Sequence, residues 1–510
     1  MPKYIHKDPK QLVMVPIDLE KQLEPGSLPF AIDEIIGNKL DISPFESKYK
    51  NDKEGRPAWD PRIMLKIVLL AYSRGINTSR KIARACRENI SFIAISSWSC
   101  PHFTTIADFV SSMGKEISHV FQEVLLICEE MGLLGETTFA LDGCKISSNA
   151  SKEWSGTKKE LKKKADKFEE KVKQLLERHQ RMDEEEDKRN IDDDSSERKR
   201  QIEKLNRKAN KIKKWLKENE PKMGKRGREL KSNITDNESA KIRTSHGMIQ
   251  GYNGQAIVDE KRQVIVAAEA FGSGPEQELF EPMIEQAKRN MKYIKKSHNY
   301  FEEKKIIADT GYFTEDNLKK AHEEKLDAYI PDQQYRKRDG RFKGREEHNP
   351  NNKETKYNRE DFSYDKEKDC YICPDGKVLR LENRRSRIKN FEGIKYVACQ
   401  ADCSKCKLRK KCLRSETTKR RNLFIAKKKY LENYSAKMVE KIDTDYGRDI
   451  YAKRMRIVEP VFGNIYSQKK LNYFTLRSKI KVNIQWLLYC IVHNIEKIAH
   501  YGNVLRYCNT

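Results

Sequence analysis

The chain has 510 residues, room for two to four domains at roughly 100–200 residues each. Its 103 Lys+Arg against 77 Asp+Glu leave a formal charge of +26, a field that attracts polyanions and gains counterion release at each phosphate contact. Nucleic acid is therefore the first partner implied. No run approaches about 18 consecutive apolar residues, which excludes a membrane-spanning helix, and the start MPKYIHKDPKQ has no apolar signal-peptide core. Twelve cysteines with no export signal imply reduced thiols in a cytoplasmic protein, and metal rather than disulfides where they cluster.

Residues 1–130 read as a helical N-terminal domain. In PRIMLKIVLLAYSRGI (61–76), Met64, Ile67, Val68 and Ala71 fall on one helical face. Gly75 breaks that helix, and Asn77-Thr78-Ser79 offers an N-cap for the next, RKIARACREN. This layout suits a DNA-binding helix-turn-helix and a plain helical hairpin equally. A third helix is expected from Thr104-Thr105 through Ile106, Phe109, Met113, Ile117, Val120, Val124 and Cys128. His102, just before it, reads as a capping or packing residue.

From 151 to 234 the composition changes. Leu161, Ala165, Phe168, Val172 and Leu175, then Ile202, Leu205, Ala209, Ile212 and Trp215, step by threes and fours around the acidic stretch 183–197. The pattern predicts an antiparallel, coiled-coil-like helical hairpin with a solvated tip. Short β-rich runs follow the N-terminal helices and this insertion: TTFALDG (137–143), GQAIVD (254–259), QVIVAAEAF (263–271), KIIADTG (305–311) and DAYIP (327–331). Helices fit at 275–290 and 314–325, so the core reads as mixed α/β over 131–331 and 426–510. Residues 332–425 form a basic, Cys-bearing insertion. The end reads as a helix from about Tyr446, a turn at Asn472–Thr475 and a last helix from Leu476.

Two aspartates, Asp142 and Asp309, close apolar runs just before a glycine or Thr-Gly, where an α/β sheet presents functional groups at its edge. A carboxylate there costs desolvation unless it meets a cation or donors. Mg²⁺ or Mn²⁺ suits such oxygen ligands, and a pair of ions serves in-line phosphoryl displacement. Each motif alone is equally a common Asp-Gly turn. A third acidic residue, Glu459, lies in the basic segment YAKRMRIVEPVFGNIYSQKKLNYFTLRS (451–478), before the helix-disfavouring Pro460.

Asp142-Gly143 with Lys145, Asp309-Thr310-Gly311-Tyr312, and Arg456-x-x-Glu459-Pro460-x-Phe462-Gly463 together resemble the three catalytic blocks of DDE transposases from bacterial insertion sequences. The segment GRPAWDPRIMLKIVLLAYSRGINTSRKIARACRENISF resembles the InsH-like domain that precedes them. The nearest subgroup is insertion-sequence family eleven-eighty-two, within the IS-four/IS-five-like superfamily. The resemblance implies an RNase H-like core carrying Asp142, Asp309 and Glu459 as catalytic ligands of two Mg²⁺ or Mn²⁺ ions. It also implies duplex DNA as substrate, as element inverted repeats and target, a homodimer and a nucleoid-associated setting. Related enzymes often carry Lys seven residues past the last carboxylate; here that position is Tyr466. Arg454, Arg456, Lys469, Lys470 and Arg477 are the candidates for DNA phosphate.

Cys370-x2-Cys373 and Cys399-x3-Cys403-x2-Cys406-x5-Cys412 have the spacing of a structural zinc site. Cys370, Cys373, Cys403 and Cys406 are the expected ligands, with Cys399 and Cys412 as substitutes. Two other functions stay open on the sequence: a non-catalytic, transposase-derived DNA-binding protein, and an RNA-processing nuclease.

Overall fold

Five apolar runs pair into one mixed sheet, and the rest of the larger unit is arranged around it. The computed structural model describes residues 16–49, 57–186, 195–224, 227–342, 356–388, 391–415, 417–427 and 432–503. The chain divides into two units, Met1–Ile330 with Asp445–Thr510, and Pro331–Thr444. In the first, β1 (Thr138–Ser147), β2 (Gly247–Asp259), β3 (Ile265–Phe271), β4 (Lys305–Ala308) and β5 (Asp327–Tyr329) lie in the order β3-β2-β1-β4-β5. β1, β4 and β5 run parallel, while β2 is antiparallel to both β1 and β3. A short strand, Ala240–Thr244, pairs with the first part of β2. This mixed α/β arrangement fits an RNase H-like core.

β1 has neighbours on both sides, so Phe139, Ala140 and Leu141 are fully buried and read as a continuous apolar run. An open β3 edge would leave amide groups unpaired. The last helix, α12 (Lys479–Tyr501), meets this need with two asparagines. Asn494 bonds both the N–H and the carbonyl of Ile265 at 2.9 Å, and Asn483 does the same for Ala270 at 2.7 and 3.0 Å. α12 is apolar almost all round because it also packs on N-terminal helices. The Tyr489 ring meets Tyr72 at a tilt of 56° with centroids 4.9 Å apart, and its hydroxyl accepts from the Asn77 amide.

The N-terminal helices therefore share a unit with the sheet. α1 (Pro61–Ser73) starts at Asp60, whose carboxylate accepts the Arg62 N–H, and Pro61 fits the first turn. α2 (Ser79–Glu88) follows Gly75, at φ +69°, and its N-cap Thr78 makes no side-chain bond, contrary to the expected cap. The single helix expected over 104–128 is two: α3 (Phe103–Ser112), capped by His102, and α4 (Glu116–Glu130). Met113 leaves the helical region at ψ 40° and Gly114 follows, a residue that costs about 1 kcal/mol in a helix interior. In α5 (Lys158–Glu186) and α6 (Ser195–Glu218), Leu161 and Ala165 near one start pack with Ile212 near the other end, so the pair is antiparallel. Residues 187–194 of the acidic stretch lie outside the described residues. α7 (Phe280–Tyr293) follows β3, and α8 (Glu315–Glu323) joins β4 to β5.

Pro460 sits inside α11 (Asp445–Gly463). Lacking an N–H, it leaves the Arg456 carbonyl without its helical donor, and the Gln263 side-chain amide fills that role at 2.9 Å. Beyond α11, Lys469 is fully buried with its ammonium 2.5 Å from Glu496 on α12. Asn464 donates to the same carboxylate at 2.8 Å and lies 3.1 Å from His493 Nδ1. Burial pushes the His493 pKa down to about 3, so the ring is neutral and donates from Nε2 to the Gln263 carbonyl at 2.9 Å.

The second unit is built on an antiparallel sheet of β6 (Ser363–Asp365), β7 (Cys370–Ile372), β8 (Val378–Ile388), β9 (Phe391–Ala398) and β10 (Asn422–Ala426). Phe362, Tyr371, Leu379, Tyr396 and Leu423 form its core. It runs to Thr444 rather than ending at 425, and Arg338 clamps Asp332 and Asp443 within it, each at 2.5 Å.

Candidate active site

The parallel register of β1 and β4 ends with Leu141 opposite Ala308, so Asp142 and Asp309 follow on adjoining strands. Asp309 caps the turn Thr310–Tyr312, its Oδ1 accepting the Gly311 N–H at 2.5 Å. Asp142 Oδ1 accepts the Gly143 N–H at 2.8 Å, and its Oδ2 lies 2.6 Å from Arg454 of α11. Opposite Gly143 stands the buried pair Asn253 and Gln255 of β2. A Cβ at 143 would stand 2.7 Å from Asn253 Oδ1 and closer still to the Gln255 amide, so the position admits only glycine without rearrangement.

A carboxylate absent from the sequence-based set joins them. Glu276, in a 3-10 turn between β3 and α7, has one oxygen 3.4 Å from the Asn253 amide and 3.5 Å from the Lys145 ammonium. Burial raises the Asp142 pKa to about 6; Arg454 and the Gly143 amide oppose this, while the charges of Asp309 and Glu276 add to it. Glu276 is raised too, by burial first and by Asp309, against the pull of Lys145. Its place in PEQELFEP read as an acidic first helical turn, and no spacing set it apart from one.

Glu459 lies on α11 five residues past Arg454, with an exposed side chain. Among the described residues no three ligating side chains are arranged to hold a metal ion. Mg²⁺ does not require such a cage, since it keeps several waters and takes one or two carboxylates plus substrate phosphate. Oxygen-only donors and mutually repelling carboxylates, two of which stand close against Gly311, fit such an ion.

The basic candidates separate. Lys469 was expected at DNA phosphate but is buried against Glu496, which satisfies its charge inside the fold. Arg454 is also no open phosphate contact, because its guanidinium is half-buried on Asp142. Arg456 is exposed and pairs with Glu260 at 2.8 Å, Arg477 is exposed and donates to the Asn149 carbonyl at 2.7 Å, and Lys470 is exposed.

In the second unit the thiols sort differently from expectation. Cys373, Cys403 and Cys412 pack on one core, and the charges of Cys373, Cys403 and Cys406 all act on Cys412. Cys370 is buried in β7 and is not part of this group. Cys373 instead begins a turn closed by Gly376 at φ +72°, and its sulfur accepts the Lys377 N–H at 3.3 Å. Cys399 is exposed at the start of α9 (Gln400–Lys405), while Cys412 ends α10 (Arg409–Cys412).

No helix among the described residues is long and apolar enough to cross a membrane. No curated protein and no solved structure matches the chain. Residues 372–499 match the family described as Transposase DDE domain, a span that takes in Glu459 and begins after Asp142 and Asp309. Residues 17–112 match the family described as Transposase domain (DUF772). Together the two spans cover less than half of the 510 residues. Over those segments the chain is similar to transposases, which supports a DDE transposase and indicates a role in DNA transposition.

Proposed function

We propose that the protein cuts DNA at the ends of a mobile element and joins the freed 3′-hydroxyl to target DNA. The observation that carries this reading is the β1–β4 register, which sets Asp142 and Asp309 on adjoining strands although 167 residues apart. Asp142 and Asp309 hold divalent cations in this reading, and Glu459 completes the site. Such ions would activate water and stabilise the leaving oxygen. Water's oxygen bonds to phosphorus as the P–O3′ bond breaks, and the departing oxygen takes a proton. In the second step that 3′-oxygen attacks a target phosphorus and displaces the target's own 3′-oxygen. Arg454, 2.6 Å from Asp142, is the nearest fixed cation for the developing charge. Exposed Arg456, Lys470 and Arg477 contribute phosphate contacts, and a homodimer would bring two element ends together.

The test is strand cleavage of duplex DNA carrying the sequences that flank the coding region, with Mg²⁺ or with chelator. Cleavage in Mg²⁺ alone is expected. Binding without cleavage in either condition would favour the non-catalytic DNA-binding protein. Preference for an RNA–DNA hybrid would favour the RNA-processing nuclease.

A structural zinc in the second unit belongs to the same proposal, with Cys373, Cys403, Cys406 and Cys412 as ligands in place of the set containing Cys370. The shared core and mutual charge effects of these thiols support it. They are not at coordinating spacing, so α9 and α10 must close on the ion. One zinc per chain is expected by elemental mass spectrometry, lost in Cys412→Ser and kept in Cys370→Ser. The reverse pattern would restore Cys370 to the ligand set.

A further inference from the structure

We infer that Glu276 is a metal-ligating carboxylate of the same site, joining Asp142 and Asp309 when the ion binds. This rests on the transposase reading above and adds a ligand to it.

Glu276 is held by two groups at one oxygen. Oε1 meets the Asn253 amide at 3.4 Å and the Lys145 ammonium at 3.5 Å. Asn253 is itself fixed, fully buried and accepting the Gln255 amide at 2.9 Å, so the carboxylate is oriented from the sheet. Its other oxygen, Oε2, faces Asp309. A Cβ on Gly311 would stand 2.9 Å from Asp309 Oδ1 and closer still to Glu276 Oε2, so the two oxygens are less than about 5.5 Å apart. Both oxygens stand close against Gly311, so a side chain there would push them away. Hard divalent cations bind oxygens at about 2.0–2.6 Å, so two carboxylate oxygens this near each other can share an ion with little side-chain movement.

Glu459 is exposed on α11, whereas Glu276 is oriented beside Asp309 by the buried Asn253.

The experiment is calorimetric Mn²⁺ binding to the full chain, with Glu276→Gln, Gly311→Ala, Glu459→Gln and Asp142→Asn beside the wild type. Each variant's melting temperature is recorded. Glu276→Gln is expected to weaken Mn²⁺ at least tenfold. Gly311→Ala, whose methyl pushes the Glu276 and Asp309 oxygens apart but keeps every carboxylate, is expected to weaken it comparably and guards against a fold-specific failure of the first variant. Iron substituted for manganese should cut the backbone beside residues 142, 276 and 309 in the presence of peroxide and ascorbate. Wild-type affinity in both Glu276→Gln and Gly311→Ala, with loss in Asp142→Asn, overturns the assignment of Glu276 alone. Wild-type affinity in Asp142→Asn as well overturns the metal site and Glu276 with it.

Discussion

Asp142→Asn is expected to lower metal-dependent strand cleavage roughly a thousandfold while duplex binding stays within about threefold. Loss of a metal ligand removes several kcal/mol of transition-state stabilisation, and about 4 kcal/mol corresponds to three decades in rate. Binding survives because it comes from lysines and arginines meeting phosphate, and removing one negative charge does not weaken those contacts. Stability survives for a different reason. Burial and two neighbouring carboxylates already disfavour the ionised Asp142, whose pKa is raised to about 6, so a neutral isostere relieves the folded state near pH 7. Gel-shift and cleavage assays on the same duplex, with a melting curve, separate these effects. Parallel loss of binding, cleavage and melting temperature would assign Asp142 to folding.

Lys469→Ala is expected to destabilise the larger unit by about 3–5 kcal/mol, the range for removing one partner of a buried ion pair. Lys469 is fully buried, and its ammonium meets Glu496 at 2.5 Å while Asn464 shares the same carboxylate. Without the cation, Glu496 keeps a half-buried charge offset by the Asn464 amide and, at longer range, by Lys497. The combined Lys469→Met and Glu496→Leu variant should recover most of the loss, since a well-packed apolar pair avoids both desolvation costs. Urea titrations measure both, and a gel shift completes the comparison. A Lys469→Ala protein of normal stability that no longer binds DNA would return this residue to the phosphate-contact set.

Much of the site was legible before folding because its pieces are local. Asp142 and Asp309 each end an apolar run at a glycine-bearing turn, and that pattern follows from strand burial and turn chemistry within a few residues. Gly75 likewise breaks the chain after α1 as expected, a local effect of its left-handed backbone. Legibility failed where the deciding contact was distant. Pro460 stays inside its helix because Gln263, far back in sequence, takes over the carbonyl it frees.

Glu276, Lys469 and Cys412 show the same limit from three directions. By sequence alone, Glu276 is a first-turn acid, Lys469 one more lysine in a basic segment and Cys412 a spare thiol. Tertiary packing turns the first toward Asp309, buries the second on Glu496 and sets the third beside Cys373, Cys403 and Cys406. The amino-acid order by itself determined the charge, the apolar periodicities and the two strand-end aspartates, all properties of short windows. Which carboxylates stand together, which cations stay exposed and which thiols converge was decided only in the fold. Those outcomes depend on side chains meeting across different elements, beyond the reach of any local periodicity, or across strand faces whose orientation the pairing register sets.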